Sequence, residues 1–527
     1  MANTEIQTLS DIKLSVGQDE KQLFSIVTKK LGKPPKYFAI KKKSLDARDK
    51  NNIRFIYTVE FSANEKPNDE QPLERLSPNN QPQAPVLVVG SGPAGLFCAL
   101  RLLQRGITPI VIERGAPVEE REKSIQTFFD TKRLDENSNV QFGEGGAGTF
   151  SDGKLNTQTH SGLNKEVLKT FVRYGAPEEI LWLNKPHIGS DHLKRVVKNM
   201  REDILRQGGT VLFYTRLEDV FFTDGRITGV AVKRLSPNGV YTGENATEKL
   251  AVSAVVLAVG HSARDTFEML LARGVPMRQK DFAVGVRIEH LQEKIGFAQY
   301  GNAYKKLPAA DYKLVSHVQD RAVFTFCMCP GGYVMPAASE QGGVVTNGMS
   351  NFARDGKNAN SALIAQVSRA DFADDSPLAG VRFQRQIEQA AYTVGGSSYA
   401  APTQLVGDFL QDRISDRFRE VSPTYAAGTA FADLRAVLPA PVIGALKTAI
   451  GDMDRKLKGF ADPSAILTAA ETRTSSPVRI ERDETLQSVG AKGLFPCGEG
   501  AGYAGGITSS AADGIRVADA IYSQFCK

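Results

Sequence analysis

The sequence is poor in everything that would mark an exported or membrane-borne chain. Its 527 residues hold five cysteines and one tryptophan. So few cysteines, and an odd number, exclude a disulfide framework. The longest apolar stretch, around residues 85–103, is broken by Gly, Ser and Pro, which excludes a membrane span. The first residues, MANTEIQTLSDIKLSVGQDE, lack a charged-then-apolar signal pattern, so a cytoplasmic protein is expected. The net charge of +6 is modest for this length and does not by itself argue for nucleic acid. His187 and His192 have no Cys or carboxylate at zinc spacing, so no metal site is read.

What is present centres on Val86 to Arg114. An apolar run, Val86-Leu87-Val88-Val89, reads as a buried parallel strand. Gly90, Gly92 and Gly95 follow in G-x-G-x-x-G spacing, and Leu96, Leu100 and Leu103 share one helix face. A second strand, Ile110-Val111-Ile112, ends at Glu113-Arg114. This βαβ unit, with an acid about 20 residues past the glycines, is a dinucleotide fingerprint. Gly90 permits the tight turn, Gly92 lets backbone approach a pyrophosphate, and Gly95 lets helix and strand pack. With Pro93 and Ala94 they open a helix whose free N–H groups attract phosphate. Glu113 can accept from a ribose diol.

The rest of the chain divides around this unit. Residues 1–66 read as a small α+β domain, with strands at Ile12–Val16, Tyr37–Ile40 and Ile53–Phe61 and a helix over Glu20–Leu31. Its lysines, from Lys29 to Lys50, have no aromatic platform repeated among them, so they read as a solvated face and not an RNA site. Residues 67–84 form a Pro/Asn/Gln-rich linker. Residues 85–277 hold the first part of a dinucleotide domain, 278–460 an inserted substrate (cap) domain, and 461–527 the return to the first fold.

Within the first part, Asn139–Lys154 is too rich in small residues for a helix or strand. Its Gly145, Gly146, Ala147 and Thr149, running on to Lys154, suit a loop whose N–H groups crowd a ligand, anchored by Phe142 and Phe150. Helices are expected between His160 and Gly208, with Trp182 in a core position. A meander through Val220 and the Asp224-Gly225 and Pro237–Gly239 turns leads to a buried strand, Ala254–Gly260. In the cap, Ala283–Ile288 and Ala322–Cys329 read as strands, Phe409–Phe418 and Val442–Leu457 as helices. Near the end, Gly493–Arg516 holds a second strand, glycine loop and small-residue helix.

Gly90–Arg114, Ala254–Gly260 and Leu494–Ala520 resemble the FAD-binding segments of the glutathione-reductase-like flavoproteins. Within that superfamily the whole chain is similar to the FAD-dependent dehydrogenases of bacteria and plastids, a largely uncharacterised family. Lys43–Arg48, Phe142–Lys154, Phe326–Gly332, Thr346–Ser350 and Glu471–Arg479 carry that likeness. The resemblance implies an α/β fold with a Rossmann-like FAD-binding domain and non-covalent FAD. It implies that Gly90, Gly92, Pro93, Ala94 and Gly95 hold the pyrophosphate and Glu113 the adenosine ribose. Val220 would meet adenine, and Gly498 and Glu499 the pyrophosphate and ribityl chain. Gly505, Gly506 and Ile507 would lie along the isoalloxazine, at the positive end of the last helix.

No second G-x-G-x-x-G follows. Electrons therefore come from the substrate, or from NAD(P)H visiting without a Rossmann site. Cys327 and Cys329, two apart on a strand, would share one face and are the candidate redox side chains, against the plainer reading of two buried thiols. Arg287, Arg473, Arg479 and His261 are candidate anion or proton handlers. The expected activity is an FAD-dependent oxidoreductase acting on an organic small molecule. Alternatives are a flavin monooxygenase using NAD(P)H and O2, and a flavin-bearing RNA-binding or RNA-modifying protein.

Overall fold

Five short strands, every one parallel to its neighbour, form the sheet on which the chain is hung. Their order is Leu494–Pro496, Ala254–Leu257, Val86–Val89, Pro109–Ile112, Thr210–Leu212. A computed structural model of the protein describes residues 6–65, 82–157, 159, 161–235 and 247–525. The Val86–Val89 and Ala254–Leu257 strands are buried throughout, as continuous apolar runs in a parallel sheet require. The sheet is closed by two segments far apart in sequence, since Leu494–Pro496 pairs with Ala254–Leu257.

Helices Pro93–Gln104, Leu163–Arg173, Ser190–Arg206 and Ile507–Phe525 share one apolar core with one face of this sheet. The first and last of them touch through backbone. A Cβ on Gly514 would lie 2.1 Å from the Ala94 carbonyl oxygen. A Cβ on Gly95 would lie 1.9 Å from that of Gly90. Strand, turn, the start of the first helix and the middle of the last are thereby held in one narrow register. The meander Thr215–Thr223, Arg226–Arg234 and Thr247–Ala251 covers the opposite face. Asp224 and Gly225, with φ of 51° and 70°, make the expected tight hairpin. The Pro237–Gly239 turn lies outside the described residues, as does most of the expected linker.

The cap is built on a seven-stranded sheet around Phe282–Leu291 and Asn358–Val367, which pair antiparallel over their whole length. The helix Ala440–Lys456 packs its Val442, Leu446, Ile450 and Met453 into that sheet's core. Ile466–Glu471 belongs to the same sheet, so the cap runs past residue 460. The helix expected over Phe409–Phe418 is instead a short turn, Val406–Leu410. Asp412 enters the left-handed region at φ 57°, and Ser415 Oγ donates to Asp408 and accepts from the Leu405 N–H. Side-chain bonds of that kind compete with helix propagation.

The N-terminal unit has the expected strands Gln7–Ser15, Tyr37–Asp46 and Arg54–Ser62 and helix Lys21–Leu31. It is docked on the cap, for Ile53 is buried in the cap's own core, with Leu45 and Ala47 against it. Trp182 is half-buried, not in the core. Its carbonyl accepts from the Lys43 N–H at 2.9 Å, tying the N-terminal unit to the dinucleotide domain.

Candidate functional site

Helix Pro93–Gln104 starts with Gly92 as its cap residue and no side chain capping it. Its first N–H groups are therefore free donors at a positive helix end. The space in front of them is kept clear. A Cβ on Gly92 would meet only the Gly146 Cα, at 3.8 Å, and one on Gly260, Gly505 or Gly506 would meet nothing within 4 Å. Around this gap the expected segments converge. A Cβ on Gly498 would touch the Ala94 Cβ at 2.8 Å, and one on Gly148 the Ile507 Cγ1 at 3.2 Å. Gly145 donates to the Ser91 carbonyl at 2.9 Å, and Thr149 to that of Gly146 at 3.3 Å. The Gly90–Gly95 turn, the Gly145–Thr149 loop and the Gly498 and Gly505–Ile507 turns thus meet at the starts of two packed helices. The residues present fit a dinucleotide with its phosphates at the first helix.

Glu113 is buried, and its carboxylate is fully engaged by protein. One oxygen accepts from the Ser91 N–H and hydroxyl, both at 2.9 Å; the other accepts from Gly115 and Gly143 N–H at 3.0 and 3.1 Å. It clasps the phosphate turn to the glycine loop. Glu113→Ala should weaken FAD by roughly 10- to 100-fold without abolishing binding, as for loss of charge-assisted hydrogen bonds. FAD titration of the variant checks this, and an unchanged affinity would contradict it. Arg114 lies 4.5 Å over the Phe142 ring and ion-pairs with Asp265.

The residue that shapes the loop is one the sequence reading missed. Arg121 is wholly buried and donates to the carbonyls of Asn139, Val140, Gly143, Glu144 and Gly146 at 2.7–3.3 Å. Burial pushes its guanidinium down to about 10, against the pull of Glu113 and Glu144. The run Glu119-Glu120-Arg121-Glu122-Lys123 reads as a solvated helix face, so only the fold reveals this role.

Lys154 sits where the loop meets the cap. Its ammonium pairs with Asp152 at 2.6 Å and donates to the Met328 carbonyl. Asp152 also takes Arg354 at 2.5 Å and the Ser350 hydroxyl. Burial alone would raise Asp152, but Lys154 and Arg354 hold it well below the usual carboxylate range. Leu155, next along, accepts from Thr508 in the first turn of the last helix at 2.8 Å. Cys327 and Cys329 are thus brought to the same neighbourhood as that helix start.

They do not share a face, however. A bulge between Phe326 and Cys329 shifts the register, and Cys327 takes φ 40°, unusual for a residue with a side chain. Cys327 is exposed, while Cys329 is buried. Arg287, fully buried, donates to the Cys327 carbonyl at 2.9 Å and ion-pairs with Glu471 at 3.4 Å. The protein packed around Cys327 pushes its thiol up, against the opposing fields of Lys154 and Arg287. Cys327→Ser should therefore leave the visible spectrum without any long-wavelength thiolate band, as in the parent protein at pH 7. Cys329→Ala should instead lower the melting temperature, since the buried Cys329 thiol donates to the Cys327 carbonyl at 3.2 Å and leaving a buried polar group without its partner costs about 1–3 kcal/mol. A parent spectrum with such a band, lost in Cys327→Ser, would contradict this.

The remaining candidates separate. Arg473 is a structural ion-pair member, held with Arg264 on the buried Glu388 at 3.0 and 2.7 Å. Val220 is buried beneath the sheet on the meander side, its N–H given to Asp219. Glu499 lies by His261, Oε1 to Nε2 at 3.8 Å, and burial pushes its carboxyl up to about 7. Among the described residues no cluster of metal-ligating side chains occurs, and no helix is long and apolar enough to cross a membrane.

Three family models match the chain. Residues 281–474 match "FAD-dependent protein, C-terminal domain-like", residues 83–127 an FAD binding domain, and residues 6–62 a domain of unknown function. An uncharacterized protein of Clostridium beijerinckii is 46% identical over 538 residues, covering 98% of each chain. Among solved structures, a flavin-dependent brominase is 12% identical with TM-score 0.38, over 84% of this chain and 79% of that one. A glycerol-3-phosphate dehydrogenase from Bacillus halodurans complexed with FAD is 13% identical with TM-score 0.36, over 84% and 66%.

Proposed function

We propose that the chain, which belongs to the same family as the Clostridium beijerinckii protein and carries an FAD-dependent C-terminal-like domain and an FAD binding domain, dehydrogenates or reduces an organic small molecule by hydride transfer. The protein is a flavoprotein with an oxidoreductase-type function. FAD supplies the hydride chemistry that no side chain has. The observation that carries the reading is the cleared gap at Gly92, Gly260, Gly505 and Gly506, bounded by two helix starts and two glycine loops. In this reading Gly90, Gly92, Pro93, Ala94 and Gly95 take the pyrophosphate. Gly498 and Glu499 take the ribityl side, and Gly505, Gly506 and Ile507 the ring. Lys154 and Arg287 fix the cap segment Cys327–Cys329 beside that ring, and the cap closes the cleft against water. The substrate binds there, between domains, as ligands commonly do.

Anaerobic addition of NADH, NADPH and small-metabolite pools in turn tests the reaction. Bleaching of the yellow colour by one of them identifies the donor. If none bleaches the protein while dithionite does, the hydride-transfer reading falls.

A further inference from the structure

Three cations share one face of the two-stranded ladder of Met277–Gln279 and Val478–Ile480. Arg278 stands opposite Arg479, and Lys280, two residues on, continues the face with its N–H donating to the Pro477 carbonyl at 2.9 Å. Like charges directly opposite on a ladder repel, so this face needs anions. Arg278 has one, Glu481 at 2.5 Å. Lys280 and Arg479 have no carboxylate at ion-pairing distance among the described residues. The Lys280 ammonium reaches the carbonyl of Asp281 at 3.5 Å. Arg479 gives one N–H to the Gly502 carbonyl at 3.0 Å and lies 4.8 Å over the Tyr503 ring, while its buried Nε has no partner.

The surroundings supply little counter-charge. Burial pushes the Lys280 ammonium down and the Arg479 charge adds to this, with Glu499 and Asp281 opposing. Burial pushes the Glu499 carboxyl up to about 7, which weakens the counter-charge it offers. His261, beside it, is pushed down to about 3 by burial and by Arg473 and Arg264. It is neutral, and its buried Nδ1 has no partner. Two half-buried cations without an ion-pair partner among the described residues, and an imidazole whose buried Nδ1 has none, therefore stand by the Glu499 carboxyl.

We propose that Lys280 and Arg479, with His261 alongside, form a subsite for an anionic oxygen group of a bound ligand, a phosphate or a carboxylate, next to Glu499. The inference deepens the function proposed above, because Glu499 is one of its cofactor-facing residues. Two sources carry such a group: the pyrophosphate of FAD itself, and the phosphate or carboxylate of a substrate or visiting nicotinamide dinucleotide.

The test uses the protein as purified, with inorganic phosphate as the probe and sodium chloride as the ionic-strength control. Melting temperature and FAD content are read for the parent, the Lys280→Met/Arg479→Met pair, and Arg278→Met. Each variant is referred to its own melting temperature in phosphate-free buffer, because Arg479→Met also loses the Gly502 bond and the Tyr503 contact. If the anion belongs to a second ligand, phosphate raises the parent melting temperature, and the effect weakens about tenfold or more in concentration in the paired variant. FAD content is then unchanged, and Arg278→Met behaves as the parent. If the anion is the cofactor's own, the paired variant binds FAD about tenfold or more weakly and phosphate moves neither protein. Equal FAD affinity and equal phosphate response in parent and paired variant overturn the subsite. A protein that never binds flavin, yet responds to phosphate through Lys280 and Arg479, overturns the flavoenzyme reading and leaves the subsite standing.

Discussion

Replacing Arg121 with methionine should release FAD and lower the melting temperature more than any other single change at the site. Methionine keeps the apolar length of the side chain but donates no hydrogen bond. Five backbone carbonyls of the Asn139–Gly146 turn lose their shared donor at once; those of Gly143, Glu144 and Gly146 keep the Gly146 N–H, the Thr149 hydroxyl and the Thr149 N–H, so the cost falls on Asn139 and Val140. Each buried acceptor left unpaired costs about 1–3 kcal/mol, and the costs do not simply add. A total of about 3–5 kcal/mol is in the range for breaking a buried charged network. The turn is wrapped tightly on this side chain; a Cβ on Gly143 would lie 2.5 Å from the Arg121 Cδ. Arg121→Lys should be intermediate, since an ammonium has three donors without the guanidinium's fork. FAD-to-protein ratio and melting temperature on the same samples check this. A yellow Arg121→Met protein with parental melting would show that the loop does not depend on this side chain.

Gly92→Val should have the opposite signature: FAD binding lost, fold kept. Gly92 has φ −72° and ψ −176°, extended backbone that valine adopts without strain. No protein atom lies nearer its would-be Cβ than Gly146 Cα, so nothing in the fold objects to the new side chain. What the branched carbons fill is the approach to the free N–H groups of the helix start, where the pyrophosphate is to lie. The affinity should fall at least about a hundredfold, roughly 3 kcal/mol of overpacking against the ligand. Flavin titration alongside a melt of flavin-free protein separates the two effects. Full flavin retention in Gly92→Val would put the pyrophosphate elsewhere.

The contrast between these two positions also explains what was legible in the sequence. Gly92 announces itself, because strand, turn and helix follow one another locally and each glycine has one spatial task. The Asp224-Gly225 hairpin and the alternating cap strands are local in the same sense. Arg121 is not: its role exists only once a loop some 20 residues on folds back over it. Nor did the sequence show the bulge that separates Cys327 from Cys329, because a register shift depends on the partner strand Asn358–Val367. The helix expected at Phe409–Phe418 failed for a related reason. Its apolar spacing was adequate, but Ser415 donates to Asp408 and accepts from the Leu405 N–H, and the turn ends early. Docking of Ile53 into the cap core was equally hidden, since an isolated β hairpin gives no sign of what covers its tip.

The central claim is that one non-covalent FAD binds where the Gly90–Gly95 turn, the Gly145–Thr149 loop and the Gly498–Ile507 turn meet. Acid precipitation of the purified yellow protein tests it most directly, with the flavin in the supernatant identified by chromatography and quantified against the chain. The account predicts FAD equimolar with protein, all of it in the supernatant. A colourless protein that takes up no FAD on reconstitution, or flavin that remains in the pellet, would contradict it.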